Sequence, residues 1–122
     1  MNSAKNKPLS HDRAQKIFNN MISFLRKKQL PISFSDDGKE SFIQLLIDKR
    51  RETYEIIVER ISQALSSIAT KPEECQVVEY PNGRFYKNKN TEIYLLRITF
   101  RLLENSNICI KGILYRDKRF SA

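Results

Sequence analysis

Ala14, Ile17, Phe18, Met21, Ile22 and Leu25 recur at alternating steps of three and one, the stripe of an amphipathic α-helix. Ser10 precedes the stripe with a hydroxyl able to accept from an unpaired first-turn amide, which marks it as the N-cap. Pro31 disfavours helical geometry at Leu30, so the helix is predicted over residues 10–29. Lys27 and Lys28 then fall in its last turn, where cations complement the helix dipole. Residues 1–9 ahead of it read as a flexible basic arm, and residues 10–122 as a single domain.

The next segment supports two readings. Ile32-Ser33-Phe34-Ser35 alternates, Asp36-Asp37-Gly38-Lys39 carries turn formers, and Phe42–Ile47 is an apolar run, which together suit a β-hairpin. The rival is one helix over residues 39–69, because Ile43, Ile47, Tyr54, Val58, Ile61, Leu65 and Ile68 fit one face. The hairpin is preferred, since polar residues 48–53 would interrupt the stripe. In either case residues 52–69 are helical, with Tyr54, Ile57, Val58, Ile61, Leu65 and Ile68 buried and Glu55, Glu59 and Gln63 wet.

Pro72 breaks that helix and the period changes to two. Residues 76–80 and 84–87 flank Tyr80-Pro81-Asn82-Gly83, a turn sequence. Residues 92–103 form a long strand, Asn105-Ser106-Asn107 turns the chain, and residues 108–116 return. The expected fold class is therefore α+β. Two or three N-terminal helices, with a short hairpin between them on the preferred reading, pack on one face of a C-terminal antiparallel β-meander.

Alternation sorts the faces of the sheet. Tyr94, Leu96, Ile98, Phe100 and Leu102 are predicted to point inward, and Leu95, Arg97, Thr99, Arg101 and Leu103 outward. A three-residue loop at 105–107 would set Leu102 opposite Ile110, Phe100 opposite Gly112 and Ile98 opposite Leu114. It would also set Leu103 opposite Cys109, Arg101 opposite Lys111, Thr99 opposite Ile113 and Arg97 opposite Tyr115. With Phe85 inward, Arg84 and Tyr86 join the outer side. The expected outer face is then Arg84, Tyr86, Arg97, Arg101, Lys111 and Tyr115, rimmed by Lys87, Lys89, Lys118 and Arg119.

Charge gives that face a meaning. Among the 122 residues the formal net charge is +8, unevenly placed. Residues 1–30 carry 7 Lys/Arg against 1 Asp/Glu, residues 31–80 carry 6 against 10, and residues 81–122 carry 9 against 3. Two basic blocks around an acidic middle create a field that polyanions feel. Cations beside exposed rings suit single-stranded nucleic acid, because phosphates are neutralised with counterion release while bases stack. The expectation is a small non-enzymatic nucleic-acid-binding protein, for RNA or single-stranded DNA, within a larger nucleoprotein assembly. An adaptor or assembly subunit that meets an acidic protein or an anionic membrane surface is the alternative.

Catalytic and cofactor motifs are weak. Ser10-His11-Asp12 spells a triad, but neighbours on one helical turn cannot form its geometry. Asp36, Asp37, Asp48 and Glu52 would make a metal-dependent nuclease only by converging on a cation. Gly38, Gly83 and Gly112 are isolated, so no phosphate-cradling loop is expected, and no cofactor. Cys75 and Cys109 lack partners at metal-ligand spacing and are expected to be buried, reduced thiols. The β-α-β-β-α-β order of a ribonucleoprotein-type domain is missing, as is a Gly-x-x-Gly loop. No apolar run reaches membrane-spanning length and no signal peptide stands out, so a cytoplasmic location is expected.

Overall fold

The first helix, α1 (His11–Lys27), starts as its sequence predicts, with the Ser10 hydroxyl accepting from the Arg13 amide at 3.1 Å. Its end is built by a left-handed residue. Gln29 has φ 58°, and this lets the Gln29 amide donate to Arg26 and the Leu30 amide donate to Leu25, at 2.9 and 3.1 Å. That paired closure satisfies carbonyls the last turn would otherwise leave open. The computed structural model describes residues 9–48, 54–77, 83–87 and 93–117. Of the expected basic arm only Leu9 is among them, and it packs against the core.

The middle of the chain matches neither reading exclusively. A short strand, β1 (Ile32–Phe34), is followed at once by α2 (Asp36–Ile47), and α3 (Tyr54–Thr70) is separate. Residues 42–47 are therefore helix, which corrects the hairpin. Asp36-Asp37-Gly38-Lys39 is not a turn but the first turn of α2: Ser35 caps it by accepting from the Gly38 amide at 3.0 Å. Acidic side chains favour that end of a helix, so the residues that resemble turn formers equally open a helix. Phe42, Ile43, Leu45 and Leu46 are buried at helical spacing. The single-helix rival fails as well, because Asp48 turns to extended geometry at ψ 147°.

Beyond α3 a 3-10 turn at Pro72–Glu74 leads into β2 (Gln76–Val77), β3 (Gly83–Lys87), β4 (Tyr94–Leu102) and β5 (Ile108–Asp117). The sheet order is β1-β5-β4-β3-β2. The antiparallel meander is thus as expected, and β1 adds a parallel edge strand, with Ile32 opposite Ile108 and Phe34 opposite Ile110. Among the described residues, α1, α2 and α3 all serve one side of this sheet. Their buried stripes close over Leu96, Ile98, Phe100, Ile108, Ile110, Ile113 and Tyr115 in one core. Phe18 joins α1 to the rest through ring contacts with Phe34 and Phe42, at centroid separations of 5.1 and 5.7 Å.

α2 docks on β5 through hydrogen bonds as well as apolar packing. The Ser35 amide and hydroxyl both donate to the Ile110 carbonyl, at 3.0 and 3.1 Å. The Ser41 hydroxyl donates to the Gly38 carbonyl and accepts from the Ile113 amide, at 3.0 and 2.9 Å. Gly38 lies between these two serines, and a Cβ there would overlap the Ile110 carbonyl. The close approach admits only glycine.

Candidate interface on the outer face of the sheet

β4 behaves as its alternation predicts. Leu96, Ile98 and Phe100 are buried, while Arg97 and Arg101 are exposed. The partner strand does not follow the expected register. Leu102 pairs with Ile108, Arg101 with Cys109 and Phe100 with Ile110, after which Thr99 pairs with Gly112. Lys111 is the extra residue of a β-bulge between them. A bulge shifts the side-chain phase by one, so Ile113 and Tyr115 point inward and Leu114 points out, 52% exposed.

This removes Tyr115 from the expected binding face. Its ring is buried, stacks on Tyr94 at 5.5 Å between centroids, and its hydroxyl accepts from the Arg60 guanidinium. Arg60 also lies over Tyr94 at 4.1 Å, so α3 is pinned to this end of the sheet by a cation and two rings. Lys111 is half-buried at the bulge and does not face Arg101.

β3 is reversed as well. Arg84 pairs with Phe100 and Tyr86 with Ile98, both inward partners, so Arg84 and Tyr86 belong to the core side. Arg84 donates to the Glu73 and Cys75 carbonyls at 3.1 and 3.0 Å and so ties β3 to the turn after α3. Tyr86 packs against the core. Burial first, and then the neighbouring Tyr94 and Cys75, push its phenol above the ordinary tyrosine value. Phe85, expected inward, pairs with Thr99 and faces out.

What remains on the outer side is a smaller set than expected. Arg97 lies over the Phe85 ring at 4.2 Å, Arg101 is exposed further along β4, and Lys87 pairs with Arg97 in register. Lys89, Lys118 and Arg119 lie outside the described residues. Sequence reasoning missed Phe85, Leu114 and Arg116, the last paired with Leu95 and exposed. Gly112, isolated inside a strand pattern, is the signal for a bulge that would have placed Leu114 and Arg116 correctly. Nothing comparable marks the phase of β3.

The metal-dependent alternative loses its geometry. Asp36 and Asp37 open α2 and Asp48 ends it, roughly 16–18 Å apart at the helical rise, and Glu52 lies outside the described residues. Among the described residues no group of three His, Cys, Asp or Glu is placed to hold a metal ion. His11 is exposed at the start of α1. Cys75 and Cys109 are half-buried rather than buried. No helix among the described residues is long and apolar enough to cross a membrane.

An α+β domain whose described helices cover one sheet face and whose other face bears exposed cations is the class that fold and surface define. No family model matches the chain, and no solved structure matches it. Among curated proteins it is similar to the "Probable tape measure protein" of Salmonella phage Felix O1 (isolate Felix O1-VT1), with 28% identity over an alignment 126 positions long. The alignment takes in 96% of this chain and 16% of that protein, so the chain spans about a sixth of the relative's length.

Proposed function

We propose that the chain is an assembly domain: a folded, non-enzymatic unit that contributes a binding surface to a larger phage structure. The similarity to a phage tape measure protein, which takes in 96% of the chain, carries this reading. It is supported by an outer sheet face that none of the described helices covers. The test is genetic replacement. This chain substituted for the aligned segment of the Felix O1 protein should yield assembled particles, whereas deleting the segment should not. Assembly that proceeds normally after deletion overturns the reading.

Nucleic-acid binding by the outer face is a second reading, favoured by one observation. Arg97 lies over the Phe85 ring, with Arg101 and Arg116 exposed on the same side. A guanidinium backed by a ring presents both a charge for phosphate and a plane for a base. Affinity for single-stranded DNA should then fall with salt, by a log-log slope of about −0.7 per neutralised phosphate. Arg101→Ala should flatten that slope, and Phe85→Ala should weaken binding with the slope unchanged. Heparin binding as tightly per charge, or no saturable binding at low salt, leaves the assembly reading alone.

A further inference from the structure

α1 and α3 border a groove of about 630 Å³. Its apolar lining includes Val58 of α3 and Phe24 of α1, a residue 42% exposed. The two lips carry opposite charge: Arg13 and Lys16 stand on the α1 side, Glu55 and Glu59 on the α3 side, and all four are exposed. Arg13 donates to the Tyr54 hydroxyl at 3.2 Å. That contact sets the first turns of both helices, and so the four charges, at the same end of the groove.

We propose that this groove is a self-association surface, closed by a second copy of the chain. A two-fold interface brings the same patch of both copies together and must be self-complementary. A surface that is basic throughout or acidic throughout repels itself there. A groove with one basic and one acidic lip does not, because an axis running along it sets α1 of each copy beside α3 of the other. Both charged lips then meet their opposites, and the two Phe24 rings leave water together. Charge of this kind fixes register and partner choice more than it adds affinity, and the apolar lining supplies the attraction. The proposal concerns the helical layer and stands apart from both readings of the outer sheet face. Failure of either one leaves the other intact.

Sedimentation of the full chain with paired charge reversals tests it. The parent should show a monomer–dimer equilibrium. Arg13→Glu with Lys16→Glu makes both lips acidic, and Glu55→Lys with Glu59→Lys makes both basic. Each variant alone should dimerise at least about tenfold more weakly, since several exposed pairs turn repulsive together. Mixed one to one, the two variants should pair with each other, because every acidic lip then meets a basic one. Thermal melts check that both variants fold, and Phe24→Ala, which removes an exposed ring, should weaken the dimer without reversing any charge. A parent that stays monomeric at the highest attainable concentration overturns the proposal. So does a dimer that survives both reversals and the loss of Phe24, or a mixture that fails to pair. Binding of an added amphipathic helical peptide by a monomeric parent would reassign the groove to a foreign helix.

Discussion

The two halves of β5 bury opposite phases of the same strand. Before Lys111 the buried residues are Ile108 and Ile110, and beyond it they are Ile113 and Tyr115. Both halves pair with β4, both are rich in apolar residues, and the difference is one unpaired position. The first half is fixed by β1 on its free side, with Ile108 and Ile110 as register partners of Ile32 and Phe34. β1 ends there, and the amide of Ile113 is met by Ser41 of α2 instead. The change of neighbour coincides with the change of phase. A strand that gives up one sheet partner for a helix can relieve the mismatch by a bulge, and every side chain beyond it changes face.

The largest expected effect tests whether Tyr115 belongs to the core. Tyr115→Ala should destabilise the fold by about 3–5 kcal/mol, as for other buried rings, read from chemical denaturation. Any loss of ligand binding should then follow the unfolded fraction. A variant that melts like the parent would return Tyr115 to the open face and abolish the phase shift.

Adjacent residues sharpen the same comparison at smaller scale. Ile113→Ala should destabilise by about 2–4 kcal/mol, whereas Leu114→Ala should change stability by no more than about 0.5 kcal/mol. Equal effects at the two positions would mean the strand has no settled phase. The α2–β5 contact that accompanies the bulge is checked by Gly38→Ala. Overpacking against backbone that cannot yield should destabilise by about 1–3 kcal/mol, and a neutral result would show that α2 stands further from Ile110.

Much of this architecture was legible in the sequence where one signal acted alone. α1 is bounded by a cap and a proline, and β4 alternates without interruption, so both read correctly. Residues 36–39 misled because a capping serine, two acidic residues and a glycine describe a turn and a helix start equally well. The apolar run at 42–47 carries no period that separates a buried helix from a strand. The candidate face failed for a different reason. Its membership depends on register, which loop length alone does not fix, because the bulge at Lys111 and the phase of β3 are set by tertiary partners. Arg97 and Arg101 follow from the alternation of β4 alone and stand where it predicts. Arg84, Tyr86 and Tyr115 depend on pairing across strands, and they lie on the core side.

Tyr86 gives the finest test of that inward move, because its ionisation reports its surroundings. On the core side of β3, burial together with nearby Tyr94 and Cys75 raises its pKa above the ordinary tyrosine value. The neutral phenol is then favoured in the folded chain. A raised folded-state pKa contributes stability that is fully present below the unfolded value. It is lost as pH climbs from about 10, the unfolded tyrosine value, through the folded one. Denaturation midpoints taken from about pH 9 upward through that window should therefore fall more steeply for the parent than for Tyr86→Phe, which has no phenol to ionise. The difference between the two curves isolates Tyr86 from the other tyrosines. Had Tyr86 stood on the open face, as alternation from an inward Phe85 predicts, water would solvate its phenolate and the two curves would run parallel. Parallel curves would thus reverse the phase of β3, exchange Phe85 with Tyr86 on the outer face, and take from Arg97 the ring that supports it.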